Sequence, residues 1–586
     1  MYNEAKGEDN MKIAVLSDIH GNYVAFQTCL KYAYEQDIHT FFFLGDYVAE
    51  FPYPQRTMEM LYDMQEKYEC YFIRGNKEDY WLNRKYDPDC IWKDGNHTVG
   101  AMKYTYENHT ERDFEFYKTL PICREVVFEG TAPIMLCHGS TERNNQKMLP
   151  DDEETKRIME ECTCKYILCG HTHRQMVIEH GGKILWNPGA VGVHKQSGGK
   201  TQFMILHQKG MEWEPEFVSL EYEKDQILRE LQKSGLEQIA PYWTQITRHL
   251  LLTGEGSHAD ALTYAMSMDM AENGSSNWYN VPDKYWIKTI IDKVAIRELT
   301  LGRSGAHVYE LDEQRVLKVA FREEVQEEHI WNSYEKEALF YEHCKAEFLP
   351  KVYVNIHTEK EIFLIMEKCV PLEREKLDDE LLQKIMDVLV KIHGTEIPPF
   401  IKAEERKAAT FTEEEIQESL QGWKSVLNEH PGVWEEDTPE EIAVYINNIN
   451  QKFFSKECSF SHGDFHFENI LQDTEGKIMV LDWQNCGAGH VSGDISFFLS
   501  RLSSDGYGID TQEVIEMYCK SADKRGRSMQ PKEIEMQMCL ANLNISFRFW
   551  HQYLHGSTTE RVAGIYEKML ADAKTLIEQF RLLSKV

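Results

Sequence analysis

No stretch of this 586-residue chain is apolar over the roughly 20 residues that a membrane-spanning helix needs. Basic charge is also short. The chain has 64 Lys and Arg against 97 Asp and Glu, a formal charge of −33. That argues against broad nucleic-acid binding, which needs a basic footprint, and against docking on an anionic membrane. The 14 cysteines have no framework spacing, which suits the reducing cytoplasm. Cys162-Thr163-Cys164 has no matching second pair, so it reads as packing rather than a zinc site. The first ten residues, MYNEAKGEDN, are polar and acidic. They have the pattern of neither a signal nor a transit peptide and read as a disordered extension. There is no internal repeat and no complete phosphate loop. Ser197-Gly198-Gly199-Lys200-Thr201 ends like one, but His194 stands where its first glycine is required.

At 68.7 kDa, the chain is too long for one core. Residues 11–205 alternate apolar runs with helix-like stretches, the mark of α/β layering. Five of those runs stop on a metal-ligand residue type. KIAVLS leads to Asp18-Ile19-His20, TFFFLG to Asp46 and CYFIRG to Asn76. PIMLC leads to His138, and KYILCG to His171-Thr172-His173. Such runs read as buried strands of a parallel sheet, and ligands of open α/β folds gather at the carboxyl ends of those strands. These residues are therefore expected on one rim. A mixed oxygen and imidazole set suits divalent transition metals of the Mn, Fe or Zn type.

This region resembles the calcineurin-like metallophosphoesterase family, whose blocks are DxH, GD, GN, H near HG, and GHxH. They stand here as Asp18-Ile19-His20, Gly45-Asp46, Gly75-Asn76, His138-Gly139 and Gly170-His171-Thr172-His173. Asn187-Pro188-Gly189-Ala190 also matches small bacterial members. The resemblance implies two metals. Asp18, His20, Asp46 and His173 hold one; Asp46, Asn76, His138 and His171 hold the other, with Asp46 bridging. Two such ions about 3.5–4 Å apart polarise phosphoryl oxygens and activate water. Lys77 is a departure, because many relatives have a histidine there that can protonate the leaving group.

The amphipathic stretches EKDQILRELQKSGL and ALTYAMSMDMAEN read as a helical tail of the first domain. The expected divisions are an extension at 1–10, a phosphoesterase domain at 11–277, a linker at 278–285 and a second domain at 286–586. The second domain carries four pieces in order. LTLGRSGAHVYEL is strand, turn, strand, with Gly302 and Gly305 able to approach phosphates. Lys318 follows on a strand, with Glu335 or Glu337 as its helix partner; spacing favours Glu335. His462-Gly463-Asp464-Phe465-His466-Phe467-Glu468-Asn469 places an aspartate and an asparagine on one loop. KIMVLDWQN ends a strand on Asp482.

This half resembles the aminoglycoside phosphotransferase and choline kinase-like superfamily, through its HGDxxxxN block followed by Leu481-Asp482-Trp483. The resemblance implies an α+β, two-lobed kinase-like fold that binds ATP and Mg. Asp464 is then the catalytic aspartate, with Asn469 and Asp482 on the magnesium. Glu367 to Cys369 form a hinge to adenine, and Asp494 braces the catalytic loop. The expectation is a cytoplasmic, bifunctional enzyme. An α/β metallophosphoesterase sandwich would act on a small-molecule phosphoester, and the kinase domain on a hydroxyl-bearing acceptor. The rivals are a regulatory protein with one degenerate half, and a nucleic-acid end-processing phosphatase-kinase. The charge and the missing phosphate loop disfavour the last.

Overall fold

The computed structural model describes residues 11–90, 92, 97–274, 281–299, 306–402, 412–433, 439–444 and 458–583. The chain divides into two compact units, Met1–Arg297 and Glu298–Val586. The division therefore falls later than residue 286. Helix Asp283–Lys293 belongs to the first unit, where it packs on helices Pro241–Thr253 and His258–Asn273. Residues 275–280, which include part of the expected linker, lie outside the described residues.

The first unit holds two five-stranded sheets. One contains β1 (Lys12–Leu16), β2 (Thr40–Phe43), β3 (Glu69–Phe72), β9 (Thr201–Lys209) and β10 (Glu212–Leu220) in the order β10-β9-β1-β2-β3. The other contains β4 (Cys123–Val126), β5 (Ile134–Cys137), β6 (Tyr166–Leu168), β7 (Gln175–His180) and β8 (Lys183–Pro188) in the order β4-β5-β6-β8-β7. β1, β2 and β3 run parallel, as do β5, β6 and β8. Alternation along each strand sorts its side chains between two cores. Ile13, Val15, Phe42, Leu136, Leu168 and Trp186 fill the space between the sheets. Ala14, Leu16, Phe41 and Phe43 face the helices outside the first sheet, and Ile167 and Cys169 face helix Glu153–Glu161 outside the second. The expectation of one sheet rim is thus corrected. Two sheets, each buried on both faces, bring their carboxyl ends to a shared edge. The hydrogen bond from the His138 imidazole to the Leu44 carbonyl, 2.7 Å, ties the sheets there.

The second unit opens with an antiparallel sheet in which Arg315–Phe321 lies between His307–Glu310 and Glu361–Glu367. Helix Glu328–His343 packs against it. A mostly helical lobe follows, carrying the small hairpin Ile470–Gln472 and Ile478–Val480. Val370–Pro371, just past the expected hinge, pairs with that hairpin. Among the described residues, no helix is long and apolar enough to cross a membrane.

Candidate active sites

Among the described residues, ten non-glycine residues have positive φ, and six of them are expected metal ligands: Asp18, His20, Asp46, His171, His173 and Asp482. Left-handed backbone is unfavourable for residues with a Cβ and clusters where function demands a side-chain direction. The five in the first unit follow β1, β2 and β6, so each strand ends in a sharp turn that throws its ligand toward the edge.

These turns create two donor sets. The ligand atoms of Asp18, His20 and His173 lie within 4.8 Å of one another, and so do those of Asp46, His138 and His171. Asn76 joins the second set, with its Oδ1 3.2 Å from His138 Nε2. Asp46 Oδ2 lies between the sets, 3.6 Å from His20 Nε2 and 3.3 Å from His138 Nε2. The structure therefore brings together all seven residues read from the sequence in that grouping. Asp18 Oδ1 and His20 Nε2 are buried without a well-formed hydrogen bond. Unsatisfied lone pairs facing one another across a mixed carboxylate and imidazole cluster fit divalent metal ions. Burial should lower the His20 and His138 pKa values. Glu50 and Asp46 override it, so His20 is pushed up to about 10 and His138 to about 9. At His171 burial, helped by the neighbouring His138, outweighs Asp46 and Asp18 and lowers it to about 3.

Tight packing explains the glycines of the motifs. A Cβ on Gly75 would sit 2.2 Å from Asp46 Oδ1, and one on Gly170 would sit 2.0 Å from Ser17 Oγ. Asn187 braces the last loop. Its amide donates to the Gly170 carbonyl at 2.6 Å and to Thr172 Oγ1 at 3.0 Å.

Two acidic residues at the site were not singled out from the sequence. Glu50 pairs with His20 Nδ1 and, at 3.1 Å, with Lys77 Nζ. Glu78 accepts from the amides of Asp46, Tyr47 and Gly75 at 2.8–2.9 Å, fixing the bridging loop. Burial and the nearby Asp46 push Glu78 up to about 7. Its signal was present in the sequence: an acid at the third position of the helix that begins at Asn76. Lys77 lies beside these donor sets, and its amide donates to Asp46 Oδ1 at 2.8 Å. Burial opposes its charge, but Glu50 and Asp46 prevail and raise it to about 12.

A cavity of about 740 Å³ opens over this cluster. Lys147, Arg174 and Lys195 line it together with Trp243, His258 and Trp286 of the helical tail. Lys195 is paired with Asp260 at 3.0 Å. His258 stacks on Trp243 at 3.5 Å, and burial lowers it to about 3.

In the second unit, Lys318 Nζ lies 2.6 Å from Glu337 Oε2 and 3.1 Å from Asp482 Oδ1. The expected partner Glu335 is corrected to Glu337; Glu335 instead accepts from the Trp331 indole at 3.1 Å. Trp483, next to Asp482, stacks on Phe340 of the Glu337 helix at 4.1 Å and so couples that helix to the metal-ligand turn. The Asn469 amide donates to the Asp464 carbonyl at 3.0 Å. Burial would raise the Asp464 carboxyl, but His466 and His462 hold it below its ordinary value. Asp494 accepts from the His462 and Gly463 amides, Ser461 Oγ and the His393 ring, all at 2.9–3.0 Å, and thus braces the loop as expected. At the hinge, the Glu367 and Lys368 amides are already engaged by the Lys351 and Gln314 carbonyls at 2.8 Å. That leaves the Glu367 amide no free N–H to offer an adenine. Gly302 and Gly305 lie outside the described residues.

The profile of the calcineurin-like phosphoesterase superfamily domain matches residues 11–211, and that of the phosphotransferase enzyme family matches residues 297–528. An uncharacterised protein of Methanocaldococcus jannaschii is 26% identical over 243 residues, 39% of this chain and 94% of that protein. Among solved structures, a metallophosphoesterase of Sphaerobacter thermophilus is 18% identical, covering 42% of this chain and 100% of the other, with a TM-score of 0.34. A ternary complex of streptomycin, ATP and APH(2″)-IIa is 16% identical, covering 51% of this chain and 99% of the other, with a TM-score of 0.33.

Proposed function

We propose that this chain, which joins a calcineurin-like metallophosphoesterase domain to a phosphotransferase-family domain, is a bifunctional enzyme. The first unit hydrolyses a small-molecule phosphoester. The second transfers the γ-phosphoryl of ATP to a hydroxyl of a small molecule. The observation that carries the first half is the position of Asp46 Oδ2 between two complete donor sets.

Asp18, His20, Asp46 and His173 would hold one divalent ion, and Asp46, Asn76, His138 and His171 the other. Bound there, the pair supplies Lewis acidity toward a phosphoryl oxygen and activates water. The chain itself does the rest. Glu50 fixes the His20 ring, Glu78 fixes the Asp46 turn, and Lys77 presents a permanent cation beside the cluster. In the second unit, Lys318 is held by Glu337 to meet nucleotide phosphates. Asp464 would orient and deprotonate the acceptor hydroxyl, while Asn469 and Asp482 would hold magnesium.

The test is a screen of metabolites for ATP-dependent phosphorylation, run on an Asp46→Asn variant so that hydrolysis cannot erase the product. A phosphorylated acceptor that disappears with Asp464→Ala supports the second activity. No acceptor and no ATP binding would reject it.

A further inference from the structure

The cavity over the two donor sets is lined differently by the two sheets. Loops of the first sheet bring Glu50 and Lys77, which pair with each other. The loops that follow β5, β6 and β8 of the second sheet bring Lys147, Arg174 and Lys195. Lys195 is anchored beside His173, whose carbonyl accepts its amide at 3.1 Å. Its ammonium pairs with Asp260 of helix His258–Asn273 at 3.0 Å. Lys147 and Arg174 are exposed, and among the described residues neither has an ion-pair partner.

Acidic residues outnumber Lys and Arg in this chain, 97 to 64, so a wall where cations prevail runs against its composition. The three cations also stand close together. Burial lowers the Lys195 pKa; Asp260 opposes that, while Lys147 and Arg174 are near enough to reinforce it. Asp260 neutralises one of the three, and two remain. Charges of one sign around a cleft raise the local concentration of a ligand of the opposite sign. The cavity volume of about 740 Å³ suits a whole organic ligand rather than a phosphoryl group alone. The donor sets and Lys77 suffice for the scissile phosphoryl, which leaves the second wall for a different anion.

We propose that Lys147 and Arg174, flanked by Lys195, bind a second phosphate carried on the alcohol part of the substrate. The favoured ester is then a small molecule phosphorylated at two positions. The planar Arg174 guanidinium can hold two oxygens of that phosphate, and Lys147 meets it as a point charge. This rests on the reading of the first unit as a phosphoester hydrolase.

The experiment compares kcat/KM for glucose 1,6-bisphosphate and glucose 6-phosphate, with Mn²⁺ and without ATP, in the full chain. The expected ratio favours the bisphosphate by about 10-fold or more, because hydrogen bonds between charged partners are the strong ones. The double variant Lys147→Gln, Arg174→Gln breaks no ion pair and should lower that ratio about 10-fold or more. A wild-type ratio near one, with glucose 6-phosphate turned over, overturns the proposal and leaves the hydrolase reading intact. A high ratio that the double variant keeps overturns it as well. If neither ester is hydrolysed by metal-loaded protein, the hydrolase reading fails, and calorimetric affinities for the two compounds then decide. Tighter bisphosphate binding that weakens in the double variant supports the second phosphate site. Equal affinities, or a preference that the double variant keeps, overturn it.

Discussion

The Lys77 ammonium lies 3.1 Å from Glu50 Oε1, while the other carboxylate oxygen of Glu50 pairs with His20. One carboxylate thus connects a metal-ligand candidate to the residue that replaces the usual histidine. With its pKa raised to about 12, Lys77 stays charged at any working pH and is a poor proton donor. Lys77→His should therefore speed hydrolysis of alkyl monoesters more than of nitrophenyl esters, whose leaving group departs unaided. The expected gain is about 10- to 100-fold, no more than the lower end for general acid catalysis. A higher KM without a gain in kcat would show instead that Lys77 clamps the substrate phosphate.

Glu50→Gln tests the other arm of that contact. A carboxylate behind a ligating imidazole fixes its orientation and raises its basicity. The substitution should weaken metal binding about 10- to 100-fold, read by calorimetric titration with Mn²⁺. Unchanged affinity would mean that His20 is held by packing alone.

In the second unit, Glu337→Gln should lower phosphotransfer about 10- to 100-fold through loss of a charged hydrogen bond to Lys318. Glu335→Gln should change it less than about 2-fold, since Glu335 accepts from the Trp331 indole and does not touch Lys318. Initial rates at saturating ATP check both. Equal losses would contradict the assignment of Glu337.

A pH effect on stability is expected at Asp572. Burial raises its carboxyl to about 6, only partly offset by Lys568, and its Oδ2 has no hydrogen-bond partner. The native state thus holds the proton more tightly than the unfolded chain. The resulting destabilisation is absent below the unfolded value of 3.8, grows as pH rises, and is complete above about 6. Asp572→Asn should raise Tm at pH 8 and leave it unchanged near pH 3.5. A gain of equal size at both pH values would rule out this origin.

The candidate metal ligands were legible because a strand end fixes both chain direction and position, and five apolar runs each announced one or two. Glu50 was not, since nothing in its local sequence shows that its chain folds back beneath His20. Glu335 and Glu337 are two residues apart on a helix and so point to different sides. Which side meets Lys318 depends on how the helix rolls on the sheet, and here Phe340 against Trp483 sets that roll. The division at Arg297 was not legible for a similar reason. Asp283–Lys293 is amphipathic, and its pattern does not reveal that its apolar face packs on Pro241–Thr253.

The most direct measurement is metal content and hydrolysis in Asp46→Asn. Its carboxylate lies between the two donor sets, so its loss should damage both. Elemental analysis of Mn²⁺-loaded protein should find two ions per wild-type chain, fewer than one in the variant, and hydrolysis of an aryl phosphate almost abolished. Two retained ions with undiminished hydrolysis would contradict a bridged two-metal site.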